Sequence, residues 1–193
     1  MTDRRLDFRQ GAGAVTAANV ETRAAVTELR ATGRRLEGYA ATFGTPAAIG
    51  AFTETILAGA FRATLARPGA DVLALLDLNP GNLLARTGNG SLRLSEDSRG
   101  LSFSLDLPGT TLGRDVLAMA EARLLGGMSF GFRATDEAWP TRDRRELRAV
   151  DLVEISVVQA FPAYDQTSVS APARALGRAE AAGRLRALTM GTL

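Results

Sequence analysis

Ser129 sits in the segment Gly126-Gly127-Met128-Ser129-Phe130-Gly131-Phe132. Glycines beside a serine let the backbone adopt conformations closed to other residues, and they leave room for an approaching chain. The chemistry such a serine offers is acyl transfer, in which its hydroxyl attacks a carbonyl. A serine hydroxyl is a poor nucleophile until a neighbour takes its proton. Histidine is the usual acceptor because its pKa lies near working pH. This chain contains no histidine. Asp77 and Glu154 are the alternatives, and an ordinary carboxylate pKa of about 4 matches the task badly. The same string also fits a plain turn into a strand.

Gly127-Met128-Ser129-Phe130-Gly131 reads Gly-x-Ser-x-Gly. A hydrolase nucleophile elbow needs a strand before the serine and a helix after it. Here the order is reversed. Thr111 to Leu125 carries Leu112, Val116, Met119, Ala120 and Leu124 on one helical stripe, a threonine supplies the N-cap, and Gly126 suits the C-terminal stop. Met128 to Ala134 then reads as a strand. The α/β-hydrolase reading therefore fails on context.

Other elements follow from period and punctuation. Ala25–Arg30 and Arg35–Ala40 read as a hairpin about Gly33, Phe43–Ala51 as a loop, and Ala58–Leu65 as a short helix ended by Pro68-Gly69. Asp71–Leu76 is an apolar run suited to a buried strand, broken by Asn79-Pro80-Gly81-Asn82. Leu83–Thr87, Ser91–Ser95 and Leu101–Leu107 read as strands, the last alternating cleanly. Thr135–Asp143 reads as a polar loop and Leu147–Phe161 as strand-rich. Within that stretch, alternation puts Leu152, Glu154 and Ser156 on one face, where a buried acid needs a partner. Residues 1–22 read as a flexible lead-in, 23–172 as one domain, and 173–193 as a helical tail. The pattern suggests an α+β domain built on an antiparallel, barrel-like sheet.

Composition narrows the function. The chain has 193 residues, enough for one core, with 46% hydrophobic and 23% charged residues. Without cysteine or histidine, disulfides and ordinary transition-metal sites are excluded, and no cofactor or metal is expected. No apolar run approaches the roughly 18 residues of a membrane span. The first residues lack the apolar core of a signal peptide, so export is not expected. All 23 basic residues are arginine, the net charge is only +2, and acids are interspersed with them. No specific nucleic-acid partner is expected from that pattern.

Five strings, in order, carry a family resemblance. They are Gly38-Tyr39-Ala40-Ala41-Thr42-Phe43-Gly44, Leu57-Ala58-Gly59-Ala60-Phe61, Leu76-Asp77-Leu78-Asn79-Pro80, the Ser129 segment, and Phe161-Pro162-Ala163-Tyr164. Together they resemble the prohead maturation proteases of tailed phages and of phage-derived gene transfer agents. The resemblance spans roughly Arg35 to Pro172. It implies a herpesvirus-protease-like fold: a small antiparallel β-barrel surrounded by helices. It implies Ser129 as nucleophile. The family's histidine base, in an Asn-His-Asp-Pro-like string, maps onto Leu78, which otherwise reads as a core leucine at a strand end. Glu154 is the candidate for the third member that orients the base, with Asp165 a weaker one. Arg114 and Arg133 are candidates for the oxyanion hole, and Trp139 for a partner contact.

The resemblance further implies partners and place. These are the major capsid protein or scaffold, a possible homodimer, and the interior of the immature capsid in the host cytoplasm, with no membrane involved. The implied function is endopeptidase cleavage of scaffold or of the capsid protein's N-terminal segment. Leucine cannot accept a proton, so this chain is expected to be inactive as written. An engineered His-to-Leu change and a natural loss both fit that reading. The alternative is a non-enzymatic assembly or scaffold-binding protein on the same fold.

Overall fold

The computed structural model describes residues 20–160 except 26 and 28. Its elements, in order, are β1 (Glu21–Ala25), β2 (Arg30–Thr32), β3 (Arg35–Thr42), β4 (Ala47–Ile49), β5 (Phe52–Ile56), α1 (Arg62–Ala66), β6 (Leu73–Leu76), β7 (Asn79–Arg86), β8 (Leu92–Glu96), β9 (Gly100–Asp106), α2 (Thr111–Glu121), β10 (Gly127–Thr141) and β11 (Arg144–Val158). The expected helical tail, Asp165 and the Phe161–Tyr164 string lie outside the described residues, as does most of the expected lead-in. β1 begins two residues inside the stretch read as lead-in.

Strand dominates, and the expected barrel surrounded by helices is not what the chain forms. One open sheet runs β1-β10-β11-β5-β4, with β6 also on β11 and β7 on β6. The second, also open, runs β2-β3-β9-β8. Nor is the first sheet purely antiparallel. β11 is long enough to take two parallel partners at different heights: β5 beside Arg144–Leu147 and β6 beside Glu154–Val157. Both β5–β11 and β6–β11 are joined by long stretches of intervening chain, as parallel pairs require. The apolar run read at Asp71–Leu76 is therefore a short parallel strand, and Ala74, Leu75 and Leu76 are all buried.

A single apolar core lies between the sheets. β9 supplies Leu101, Phe103 and Leu105, as its alternation predicts, and β3 supplies Leu36. From the other side come Met128, Phe130, Phe132, Ile155 and Val157. Phe61, just before α1, packs edge-on to Phe130 at 5.7 Å, and Phe130 stacks with Phe132 at 5.3 Å. α1 is tied to β11 by Thr64, whose hydroxyl donates to the Val150 carbonyl and accepts from the Leu152 amide.

Several boundaries differ from the sequence reading, each for a local reason. Thr135–Asp143, read as a loop because it is polar, continues β10: the β10–β11 hairpin projects beyond the core, so its outer residues need not be apolar. Phe43–Ala51, read as a loop, contains β4. Asn79–Asn82, read as the chain break, starts β7, and the turn falls at Asp77-Leu78 instead. The helix stops at Glu121, short of Gly126, because Arg123 takes the left-handed conformation (φ 57°). Its start is as expected, with Thr110 Oγ1 accepting from the Gly113 amide at 3.2 Å.

β1 is held on β10 by its backbone ladder and by a charged network. None of its five residues is fully buried. Arg23 donates through Nε and Nη2 to both oxygens of Glu54, at 2.7 and 2.8 Å. Arg145 donates to Glu21 at 2.6 and 2.8 Å, to Glu54 at 2.9 Å and to Glu137. Glu54 is 3% exposed and Arg145 6%. The Arg145 hydrogen bond holds the Glu21 carboxyl below its ordinary pKa despite partial burial. The network joins β1, β5, β10 and β11. Removing one member of a buried pair costs about 3–5 kcal/mol. Because Glu54 keeps Arg23 as a partner, Arg145→Met is expected to lower unfolding free energy by less than that, about 1–3 kcal/mol, in urea titration. A loss below about 1 kcal/mol would show that the network is peripheral.

Candidate active site

The site is built on the β10–β11 ladder. In this register Ser129 lies opposite Ser156 and Gly131 opposite Glu154. Opposed residues of an antiparallel pair share a face, and so do residues two apart along a strand. Ser129, Gly131, Glu154 and Ser156 therefore occupy one patch, while Met128, Phe130, Ile155 and Val157 point to the core. β1 lies on the far side of β10, with Ala24 opposite Ser129. β6 flanks β11, with Leu75 beside Ser156 and Leu73 beside Glu154.

Glycine makes the patch possible. A Cβ at Gly131 would lie 2.7 Å from Glu154 Oε1, so the carboxylate occupies space that any other residue would fill. Gly127, two residues before the serine, has φ 152°, a conformation that favours glycine.

All three polar members are buried. Ser129 and Ser156 are 0% exposed and Glu154 8%. Ser156 Oγ donates to Glu154 Oε2 at 2.5 Å. Ser129 Oγ has no hydrogen-bond partner among the described residues. A buried hydroxyl without a partner costs about 1–3 kcal/mol, so its presence calls for a reason. Burial raises the Glu154 pKa to about 7, and the Ser156 hydrogen bond offsets only part of that. No side chain opposing it carries charge: Ser156 is on its own strand, Gly131 on β10 and Leu73 on β6.

The chain belongs to the caudovirus prohead serine protease family. The family's model matches residues 19–181, most of the sequence. No curated protein and no solved structure matches the chain. Membership carries with it a serine peptidase ancestry and association with capsid proteins. No helix among the described residues is long and apolar enough to cross a membrane.

The structure brings Ser129 and Glu154 into one patch and places Leu78 in the turn that follows β6. β6 lies two strands, about 10 Å, from β10. Leu78 follows it in a two-residue turn closed by the Leu76–Asn79 pair. It is 44% exposed, not a core leucine. Asp77 and Leu78 both have positive φ, 51° and 58°. That is the type I′ pattern, normally Asn-Gly or Asp-Gly. Leucine there is an outlier, whereas histidine is among the residues enriched in the left-handed region. Asp77 is occupied elsewhere, accepting from the Gln159 amide at 2.9 Å and from its side chain at 2.5 Å.

The oxyanion candidates are also engaged. Arg114 donates to the Gly109 carbonyl at 2.8 Å and Arg133 pairs with Asp151 at 3.6 Å. Trp139 is half exposed on β10, edge-on to Phe52 at 5.0 Å, with its indole donating to Glu137. Ser156 was missed by sequence reading as a site residue. The signal was available: its place two residues from Glu154 on the same face.

Glu154 sets a pH dependence. Its folded pKa, about 7, exceeds the ordinary value of 4.5, so the native state holds the proton more tightly. Its contribution is fully present below pH 4.5 and is lost as pH rises through 7. The span corresponds to about 3 kcal/mol. Glu154→Gln should remove this dependence and be the more stable protein at pH 8, by urea titration at pH 5 and 8. Parallel pH profiles for the two proteins would contradict a buried, desolvated carboxyl.

Proposed function

We propose that the chain is a capsid-maturation serine endopeptidase fold whose nucleophile is Ser129 and whose base position is held by Leu78. Its partner is the major capsid protein or its scaffold, met inside the immature capsid. The substrate is scaffold or the capsid protein's N-terminal segment. The observation that carries this reading is the family match across residues 19–181, with a buried serine beside a buried acid at its centre. The backbone at residue 78 supports the assignment of the base position, because φ 58° suits histidine better than leucine.

Without histidine the usual proton acceptor is missing. Loss of the base in another serine protease family costs on the order of 10⁶ in turnover. Histidine-driven proteolysis is therefore absent from this chain. Glu154 then stands as a third member with no base to orient.

A second reading has its own support. Ser129 is fully buried, and a surface groove of about 1070 Å³ is lined by other residues, among them Tyr39, Arg93, Phe103 and Arg123. A protein that binds capsid protein without cutting it needs no open serine.

Co-expression with the capsid protein of the same particle separates the two readings. Leu78→His should yield defined fragments by intact mass spectrometry, and Leu78→His with Ser129→Ala should yield none. Uncut capsid protein that still co-purifies with the Leu78→His variant would establish the assembly reading instead.

A further inference from the structure

We infer that Ser156 and Glu154 form a histidine-free proton path to Ser129, with Ser156 accepting the Ser129 proton and Glu154 accepting that of Ser156. The inference rests on the reading of Ser129 as nucleophile. It concerns this chain's own residues and not the vacant base position.

Four observations converge on it. Ser156 lies directly across the β10–β11 ladder from Ser129, where opposed Cβ atoms are about 5 Å apart. A rotamer change at Ser129, which leaves the Ser156–Glu154 hydrogen bond in place, is the movement the path requires. Ser156 already donates its proton to Glu154, so its oxygen lone pairs are free to accept. Among the described residues, Ser129 Oγ is the buried polar side-chain atom left without a hydrogen-bond partner. Gly131 leaves the space in which the Glu154 carboxylate sits.

The chemistry balances. As Ser129 Oγ bonds to an electrophilic carbon or phosphorus, its proton passes to Ser156 Oγ. The Ser156 proton passes to the Glu154 carboxylate, which becomes neutral. In acyl transfer the same proton returns through Ser156 to the departing amine. A carboxylate with an ordinary pKa would accept poorly at neutral pH. Burial places Glu154 near 7, where acceptor strength and ionised fraction are both useful. Ser156 takes the proton from the reacting oxygen and is the catalytic residue of the path; Glu154 acts through Ser156 and is a positioning residue.

A fluorophosphonate probe tests this without any protein substrate. Its reaction forms an Oγ–P bond at Ser129 and releases fluoride. Ser129 is buried, so labelling requires the patch to open to the probe; the unaltered chain should then gain one adduct at Ser129, located by peptide mass spectrometry and absent in Ser129→Ala. Its rate should rise with pH about a midpoint near 7. Glu154→Gln and Ser156→Ala should each slow labelling about 100-fold, and Ser156→Thr, which keeps the hydroxyl, should retain most of the rate. The midpoint should vanish in Glu154→Gln. Circular dichroism confirms that each variant is folded. Equal rates and equal pH profiles in the unaltered chain and Glu154→Gln would overturn the path. So would a chain that gains no adduct at any pH. Because the probe needs neither capsid protein nor Leu78→His, its outcome is independent of whether the restored histidine cleaves.

Discussion

The register of one hairpin determines what this protein can do. β10 and β11 run side by side for most of their fifteen residues each. In a strand pair the side-chain period is two, so a slip by one residue exchanges the faces. Such a slip here would turn Phe130 or Ile155 out of the apolar core and put already buried polar groups in its place. The register is thus fixed by the aromatic and aliphatic row on one face. The polar patch on the other face follows from it. A bulge between Gly131 and Phe132 lets Phe132 pair with Leu152 while Gly131 keeps Glu154.

The rest of the fold serves that hairpin from its flanks. β6 covers one edge of β11 in parallel with apolar side chains. β1 covers the free edge of β10 with almost none, relying on Arg23, Glu54, Glu21 and Arg145. The two edges are therefore held by different physics. The apolar edge is insensitive to salt. The ionic edge gains from low dielectric around Glu54 and Arg145 but loses strength as its carboxylates protonate. The attachment of β1, whose Ala24 lies opposite Ser129, therefore has an ionic component that responds to solution conditions.

The sequence made the core legible and the ladder less so. Leu101, Phe103 and Leu105 announce their face by alternation, and Thr110 announces the helix start, because those signals are local. The polar outer half of β10 was read as a loop because hairpin pairing beyond the core leaves no apolar pattern. Arg123 ended α2 early, since left-handed backbone at arginine has no sequence signature comparable to glycine. The open, partly parallel sheet in place of a closed barrel was invisible because partners such as β5 and β11 meet over long separations. Ser129 and Glu154 could be named from their strings. Their juxtaposition through Gly131 and Ser156 could not, since it depends on a register that only the folded ladder sets.

That juxtaposition bears on what a missing histidine means. A turn residue two strands away can be exchanged without disturbing the ladder, because Leu78 is exposed and contributes nothing to the core. The buried patch is different. Glu154 lowers stability at neutral pH, and the unpartnered Ser129 hydroxyl lowers it further. Two apolar residues at those positions would relieve both costs, as replacement of buried polar groups by apolar ones often does. The chain instead holds an acid with a pKa near 7 in one patch with a serine whose hydroxyl has no hydrogen-bond partner among the described residues. The fold tolerates this because the opposite face of the same two strands is packed with Met128, Phe130, Ile155 and Val157. Local cost sustained by surrounding packing is the usual physical setting of a working site. By that criterion the buried patch on the β10–β11 ladder is the stronger candidate for chemistry, and the exposed turn at Leu78 is separate from the packing that sustains it.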